Sequence, residues 1–344
     1  MLRLSMLLAL LAAPALAEGP QRVTVGVHLR NAEAVSLEQN AYSLSFVMWM
    51  RWKGELDPTK SFRFVNLLEA WALTSTPVFD EPLVEADGSR YQRFVVEGRF
   101  FHKFDLRPYP LDWQKLVLEL EDVRHDSGVL EYVADEQSSV VEPLSVPGWT
   151  PVSRILEVAP FTYPGGLGRA DAKPFSRFRF GVKLQRPLRL LLLTMAPPVL
   201  LVLLCCFAVF FLRPLHVEAR VGTVITALLT VVFLQLAFTD DLPYLGNSVL
   251  LDQLFNLSYV LMTAVLLECV VVTRLFDRAK DLEAQAATQE GEAQAATRAK
   301  AEAVLQRISR LDRWAARGFP PLYALGCLVI VLLARGAQVA AVPF

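Results

Sequence analysis

Acidic residues stand at both ends of a long apolar run, and their spacing would serve the passage of ions. Glu218 precedes the run, and Asp240 and Asp241 follow it. Between Glu218 and Asp240 a helix would rise about 33 Å, close to the thickness of the hydrocarbon part of a bilayer. The stretch Glu218–Pro243 therefore predicts a membrane-spanning helix with carboxylates at each mouth.

Steps of three and four residues from Glu218 select side chains on one face of this helix. They are acidic at the ends and small, hydroxyl-bearing or apolar between: Glu218, Gly222, Thr226, Leu229, Phe233, Leu236 and Asp240. In a pore wall the acids would concentrate cations, and the apolar middle would close the path by excluding water. An ordinary buried span with its terminal acids among the headgroups explains this stretch, taken alone, equally well.

The elements that would position this helix are further membrane spans. Of the 344 residues, 53% are hydrophobic, and the mean hydropathy is +0.36. Four stretches are long and apolar enough to cross a bilayer: 188–212, 221–239, 250–276 and 319–335. The net charge of -1 gives no indication of a nucleic-acid partner.

The distribution of charge predicts an orientation. Residues 1–17 combine an early arginine, a short apolar run and an Ala-Leu-Ala ending, which is typical of a secretory signal peptide; a first span is the alternative. Residues 18–186 would then lie outside, followed by a four-helix transmembrane domain, residues 187–344. Lysine and arginine concentrate in the two inner loops, and the outer loop after Asp240 has none, as the positive-inside rule requires.

The exported part predicts a β-sandwich. Hydrophobic residues alternate with others at period two along 23–30, 115–120 and 177–184, and turn signals such as Asp87-Gly88 and Pro147-Gly148 separate such runs. We expect an all-β, immunoglobulin-like sandwich of about ten strands. All four cysteines fall inside predicted spans, so this domain would have no disulfide.

Residues 277–318 differ in amino-acid composition from the rest of the chain. They are rich in Ala, Glu, Gln, Lys and Arg, and the sequence EAQAAT occurs at 283–288 and again at 292–297. Such a composition favours a cytoplasmic helix or helical pair, interrupted at Gly291, that would act as a spacer or assembly element. The prolines Pro320 and Pro321 would open the fourth span.

The most specific segment is Phe104–Gln114, FDLRPYPLDWQ, which by itself is a stiff turn between two strands. Together with the exported sandwich and four spans, its Tyr-Pro-Leu-Asp-x-Gln element resembles the pentameric ligand-gated ion channels. The Glu-Ala-Arg entry to the second span and the Leu242-Pro243 exit support the resemblance. In animal members two cysteines bracket this turn; here His102 and Leu116 stand there, as in prokaryotic members.

The resemblance implies a homopentamer in the lipid bilayer, with the second span of each subunit around the pore. Glu218 would form a ring that favours monovalent cations, and Leu229, Phe233 and Leu236 would form the gate. Arg220, about 200° round the helix from Glu218, would face away from the pore. The expected location is the bacterial inner (plasma) membrane, as a multi-pass protein with its N-terminal domain periplasmic or extracellular. No cofactor or metal is expected.

The resemblance also places coupling and ligand residues. Those expected where the two domains meet are Glu33, Asp112, Arg186, Tyr109, Pro110 and Pro243. Those expected around an agonist between subunits are Phe79, Tyr132, Phe161 and Tyr163, with Arg51 or Trp52 from the neighbouring subunit. Aromatic faces would suit a small amine, and protons are a competing agonist because ionisable residues are plentiful. Each of these residues has an ordinary core or surface role as its alternative.

Other classes fit less well. A non-conducting receptor that signals through the cytoplasmic helix is the main alternative to a channel. An enzyme is not expected, because the sequence offers no Ser-His-Asp, Cys-His or metal-ligand cluster and only four histidines. A secondary transporter would show inverted repeats and broken spans, and neither is evident.

Overall fold

The computed structural model of the chain describes residues 19–168, 171–240, 242–243 and 248–340. The predicted signal peptide, residues 1–17, and Asp241 lie outside the described residues. The described chain has a strand-rich first part and a helical second part, so the predicted order of a β-sandwich followed by four apolar helices is confirmed.

The first part contains eleven strands, connected by loops and short 3-10 turns. They are β1 Gln21–Ser36, β2 Ala41–Trp52, β3 Phe62–Phe64, β4 Thr74–Pro77, β5 Leu83–Val84, β6 Arg90–Phe101, β7 Trp113–Asp122, β8 Leu130–Ala134, β9 Ser139–Val140, β10 Thr150–Phe161 and β11 Phe175–Gln185. No described helix in this part is longer than a turn or two, as the alternating sequence predicts.

The strands form two sheets. One has the order β4-β6-β2-β1-β8, with β5 beside β6 and β9 beside β1; the other has the order β10-β11-β7-β3. Most neighbours are antiparallel, while β8 and β9 run parallel to β1. Because side chains alternate across a strand, Val23, Val25 and Val27 of β1 face the same core as Phe178 and Phe180 of β11.

The second part begins three residues after β11. The first apolar segment is composite: α1 Leu188–Leu190, a π-helical stretch Leu191–Met195, α2 Ala196–Ala208 and a 3-10 turn Val209–Phe211. The remaining helices are α3 Val217–Thr239, α4 Leu250–Ala287 and α5 Glu292–Ala340. Four helical segments in the described chain are long and apolar enough to cross a membrane.

Prolines affect these helices in two ways. Pro197 and Pro198 lack the N–H groups that would bond the carbonyls four residues earlier, and the π-helical stretch Leu191–Met195 lies there. Pro320 and Pro321, in contrast, do not open a new helix. They lie inside α5, which is continuous from Glu292 through the fourth span.

Helices α4 and α5 form a long antiparallel hairpin, the α4–α5 hairpin, joined by residues 288–291. Gly291 has a positive φ of 68°, a conformation glycine adopts without steric cost, and the chain reverses there as its composition predicts. Buried residues recur every seventh position along α4: Leu251, Ser258, Val265, Val272, Ala279 and Ala286. Along α5 the same spacing gives Ala301, Ile308 and Ala315. This heptad period is that of a coiled coil, and small alanines allow close packing.

Candidate functional site

The stripe of residues that the sequence assigns to a pore lies on one exposed side of α3. All seven are exposed: Glu218, Gly222, Thr226, Leu229, Phe233, Leu236 and Asp240. The opposite side carries the buried residues of the helix: Arg220, Val224, Ala227 and Val231. Helix α3 packs with that buried side against its own subunit, so the stripe is left for solvent, lipid or another subunit.

The exposed stripe includes large apolar side chains. Leu229 is 52% exposed, Phe233 is 68% exposed and Leu236 is 61% exposed. Exposed apolar surface is stable where lipid or a second protein covers it. The stripe has an acid at each end. A charged side chain is unfavourable on a lipid-facing surface, so Glu218 on the same face as the apolar residues argues against lipid contact there.

Arg220, two residues after Glu218, points the other way. Its guanidinium is 2% exposed and contacts Asp312 of α5 at 2.5 Å and Glu268 of α4 at 3.5 Å. Glu268, an acid within the third predicted span, thus has Arg220 as a partner. Asp312 was not predicted from the sequence. The available signal was a lone acid within the basic run that precedes the fourth span.

The second part of the site is the Phe104–Gln114 turn, which centres on a buried ion pair. Asp112 has no exposed side-chain surface and accepts a hydrogen bond from Arg186 Nε at 2.8 Å. Its other carboxylate oxygen accepts from Gln114 Nε2 at 2.7 Å. The spacing of aspartate and glutamine in the turn thus supplies one partner of the buried acid, and Arg186, 74 residues further along the chain, supplies the other. Arg186 stands at the end of the sandwich, so the pair fixes the turn against the start of the helical part.

Aromatic rings enclose the same guanidinium. The Arg186 Cζ atom lies 4.8 Å from the centre of the Tyr109 ring and 4.2 Å from that of Trp149. Such cation–π contacts contribute about 2 kcal/mol when desolvated. The contact of Trp149 with Arg186 was not predicted from the sequence.

The turn also holds the outer ends of two helices. The backbone N–H groups of Leu250 and Leu251, at the start of α4, donate to the carbonyls of Arg107 at 2.8 Å and Tyr109 at 3.1 Å. These first amides of a helix have no partner within it, so the turn satisfies them. The Tyr109 hydroxyl donates to the carbonyl of Phe238 in α3 at 3.5 Å. The turn therefore touches both the helix with the exposed stripe and the helix behind it.

The other predicted coupling residues are placed differently. Pro110 is buried in the turn and Pro243 is half-buried beyond α3. Glu33 accepts a hydrogen bond from Asn31, and within the described chain no ion pair joins it to Arg186. Residues 244–247, in the loop between α3 and α4, lie outside the described residues.

Phe161 and Tyr163, two of the residues predicted for a ligand site, contact each other. The rings of Phe161 and Tyr163 lie 5.0 Å apart at 82°, an edge-to-face arrangement. An internal cation already covers them, because the Arg177 guanidinium lies 3.5 Å from the centre of the Phe161 ring. Arg177 also pairs with Glu121 at 2.8 Å and Glu119 at 3.3 Å. The sequence did not predict this arginine as part of the site.

Tyr163 is drawn into the same cluster. Its hydroxyl donates to Glu121 Oε1 at 3.0 Å and accepts from Arg177 at 3.1 Å. Partial burial and the hydrogen bond to the Glu121 carboxylate raise the pKa of Tyr163, so its phenol remains a donor near neutral pH. The loop that begins at Phe161 is thereby fastened to β7 and β11.

The remaining predicted ligand residues divide between surface and core. Phe79 is half-buried beside the Tyr91 ring at 6.3 Å, and Arg51 pairs with Glu85 at 2.9 Å on the surface. Trp52 and Tyr132 are instead core residues, 2% and 1% exposed. Their positions in β2 and β8 fall on the inward phase of the strand alternation, and burial raises the pKa of Tyr132 well above its usual value.

His102, at the position of the absent cysteine, bears on the proton hypothesis. Burial lowers the pKa of His102, opposed by the nearby Glu119 carboxylate. The folded domain therefore binds fewer protons on His102 than the unfolded chain, and stability falls as pH drops below the unfolded value of about 6.5. We expect the thermal unfolding midpoint to fall between about pH 7 and pH 5 in the unmodified protein. In His102→Gln the fall should be smaller by roughly 2 °C.

Tryptophan fluorescence of the detergent-solubilised protein during heating measures this midpoint. The two proteins are first compared near pH 8, where His102 is neutral in both the folded and the unfolded chain, so that any effect of the substitution on packing is subtracted. Equal losses of midpoint on acidification would contradict the assignment.

Comparison with known families identifies the helical part. Residues 194–304 match the family described as neurotransmitter-gated ion-channel transmembrane region. The matched range runs from the π-helical stretch through α3 and α4 into α5. This match shows that the helical part of the chain is similar to the transmembrane region of neurotransmitter-gated ion channels. No curated protein matches the chain.

The match agrees with the architecture. A β-sandwich in front of four membrane-capable helices is the layout of Cys-loop receptors. The chain is accordingly a multi-pass membrane protein whose helical part is similar to that of neurotransmitter-gated ion channels.

Proposed function

We propose that the chain is the subunit of a cation-selective, ligand-gated channel in which α3 of five identical subunits lines the pore. One observation carries the proposal: the stripe predicted from helical spacing is exposed along the whole length of α3, and the side that carries Arg220 and Val231 is buried in the subunit. A single helix cannot enclose a path for ions, but a ring of such helices can. The stripe would then face the axis.

The chemistry of the stripe supports cation passage. Glu218 would form a carboxylate ring at the inner mouth, and a carboxylate ring favours cations and repels anions. Gly222 leaves room beside it, and the Thr226 hydroxyl would contact a partly dehydrated ion. Asp240 would place a second acidic ring at the outer mouth.

The apolar section supports a gate. Leu229, Phe233 and Leu236 present exposed hydrocarbon at successive levels of α3. Facing copies of these side chains would form a constriction from which water withdraws, and ions cannot cross a dry section. Phe233 is the bulkiest of the three, so the gate would close high in the helix.

Opening would be driven from the sandwich domain through the Phe104–Gln114 turn. The ion pair of Asp112 with Arg186 and the contact of Tyr109 with Phe238 support this route. The inner membrane, with the sandwich domain on its outer side, is the location proposed from the positive-inside distribution.

A small amine or a proton is the proposed agonist. An amine would have to compete with Arg177 for the face of Phe161, because the guanidinium lies 3.5 Å from the ring centre. A proton is the competing agonist, because ionisable side chains gather in the same cluster, where Arg177 pairs with Glu121 and Glu119. A pH step therefore comes first in a search for the opening signal.

The selectivity is tested by Glu218→Gln. Removing the carboxylate ring is expected to lower the cation-to-anion permeability ratio by about tenfold, since a charge lining a narrow aqueous path is weakly screened. The reversal potential of purified protein in planar bilayers under a salt gradient measures the ratio.

Glu283→Gln is the matched control, because it makes the same chemical change at an exposed position on the α4–α5 hairpin. An unchanged reversal potential in Glu218→Gln would contradict the pore assignment. If acid, amines and the Leu229→Ala substitution all fail to give current, the non-conducting receptor would be the better reading.

A further inference from the structure

The buried contacts of Arg220 answer a difficulty in the proposed selectivity, on which this inference rests. Arg220 follows Glu218 by two residues, about 3 Å of helical rise. A free guanidinium there would lie within a Debye length, about 8 Å at physiological salt, of the carboxylate ring. Five such cations would offset five carboxylates and remove the preference for cations.

The structure shows how this cancellation is avoided. The Arg220 guanidinium is 2% exposed and carries two acids on the same nitrogen, Nη2: Asp312 at 2.5 Å and Glu268 at 3.5 Å. Both acids are themselves largely buried, with 12% and 11% of their side chains exposed. The Arg220 guanidinium is thus held by carboxyl groups from two neighbours and does not lie free beside Glu218.

The partners come from two other helices. Glu268 lies in α4 and Asp312 in α5, so three helices meet at the inner end of the exposed stripe. The Nε and Nη1 atoms of Arg220 and the Oε1 atom of Glu268 are buried and have no hydrogen-bond partner within the described chain. A low-dielectric surrounding of this kind transmits charge further than water does.

We propose that Asp312 and Glu268 determine ion selectivity without lining the pore: they neutralise Arg220, so that the field at Glu218 remains negative. The alternative is that the cluster is only a packing device at the junction of three helices. The two hypotheses predict different changes in ion selectivity when the cation or an acid is removed. A packing device would be damaged alike by removal of the cation or of an acid, but a charge-balancing device would respond in opposite directions.

The experiment compares Asp312→Asn, Glu268→Gln and Arg220→Gln. The cation-to-anion permeability ratio is expected to fall by roughly threefold in Asp312→Asn, and by less in Glu268→Gln because its contact is longer. In Arg220→Gln the ratio is expected to stay or rise. The double variant Arg220→Gln/Asp312→Asn should return close to the unmodified value, and Asp312→Glu should keep it.

A second measurement does not depend on conduction. Ala219 is exposed beside Glu218, so Ala219→Cys reports the local potential through its reaction with a cationic and an anionic methanethiosulfonate reagent. Peptide mass spectrometry separates this site from the four native cysteines. The cationic-to-anionic rate ratio should fall by roughly threefold when Asp312→Asn is added and should not fall with Arg220→Gln.

The outer end of α3 offers a matched control. Asp252 of α4 accepts a hydrogen bond from Gln235 of α3 at 3.0 Å. Asp252→Asn therefore changes an acid that joins α4 to α3, as Glu268 does, but far from Glu218. It should leave both ratios unchanged. If Asp312→Asn does not assemble, Glu268→Gln carries the decision.

The experiments distinguish a failure of this inference from a failure of the proposed pore. An unchanged rate ratio in every acid variant, or equal falls in Asp312→Asn and Arg220→Gln, would overturn the inference. An unchanged permeability ratio in Glu218→Gln, with the rate ratio still falling in Asp312→Asn, would overturn the proposed pore and leave the charge balance standing.

Discussion

Asp112→Ala is expected to destabilise the protein by about 3–5 kcal/mol and to abolish opening by any agonist. The substitution removes the acid that Arg186 contacts at 2.8 Å, and it leaves a guanidinium that is 9% exposed without its carboxylate. An uncompensated buried charge is what makes this loss large. Gln114 would lose one of its two acceptors at the same time and keep the carbonyl of Asp105.

The loss of opening follows from what the turn holds. Leu250 and Leu251 donate to its carbonyls, and Tyr109 reaches Phe238 in α3. If the turn loosens, movement of the sandwich no longer displaces the helices. Thermal unfolding and agonist-evoked current of the same preparation measure the two effects.

Controls separate the ion pair from general damage. Glu131→Ala removes an acid from an exposed pair, where Arg22 and Glu131 side chains are 77% and 43% exposed, and it should cost only about 0–1 kcal/mol. The double variant Asp112→Ala/Arg186→Ala should be less destabilised than the sum of its single variants, since neither charge is left alone. Additive losses would show that the two residues do not act as a pair.

Leu229→Ala is expected to shift activation at least tenfold toward lower agonist concentration and to produce current without agonist. A buried methylene contributes about 0.8 kcal/mol, and five subunits each lose such groups from the closed gate. Because about 1.4 kcal/mol corresponds to a tenfold change in an equilibrium, even partial burial of Leu229 gives a large shift. Dose–response currents and basal open probability measure it.

Leu204→Ala is the matched control for the gate. Leu204 of α2 is 66% exposed, a fraction similar to that of Leu229, but it does not belong to the α3 stripe. The same loss of hydrocarbon there should leave activation unchanged. Equal shifts in both variants, or none in Leu229→Ala, would contradict the assignment of the gate.

Much of this molecule follows from local sequence patterns. Alternation along 23–30 and 177–184 predicts strands with Val25 and Phe180 inward, and both are fully buried. Apolar runs of membrane length predict the spans. The three-and-four spacing from Glu218 predicts which side chains share a face of α3. Each of these depends on a repeat of the backbone itself, a period of 2 in strands and 3.6 in helices.

Other features depend on which segments meet in space. The pairing of Arg220 with Asp312 joins residues 92 positions apart, and the contact of Tyr109 with Phe238 joins residues 129 apart. No local period relates such residues. Trp52 and Tyr132 show the converse. The resemblance assigned both to a ligand site, and the inward phase of β2 and β8 places both in the core.

The sequence by itself determined the class of architecture, the stripe on α3 and the Asp-x-Gln turn, because these are set by propensity and hydrophobic period within one segment. Only the tertiary structure decided that Arg177 covers Phe161, that Arg186 lies between Tyr109 and Trp149, and that Arg220 contacts two acids. Charges and rings attract at short range and without regard to distance along the chain, so their partners are fixed by packing.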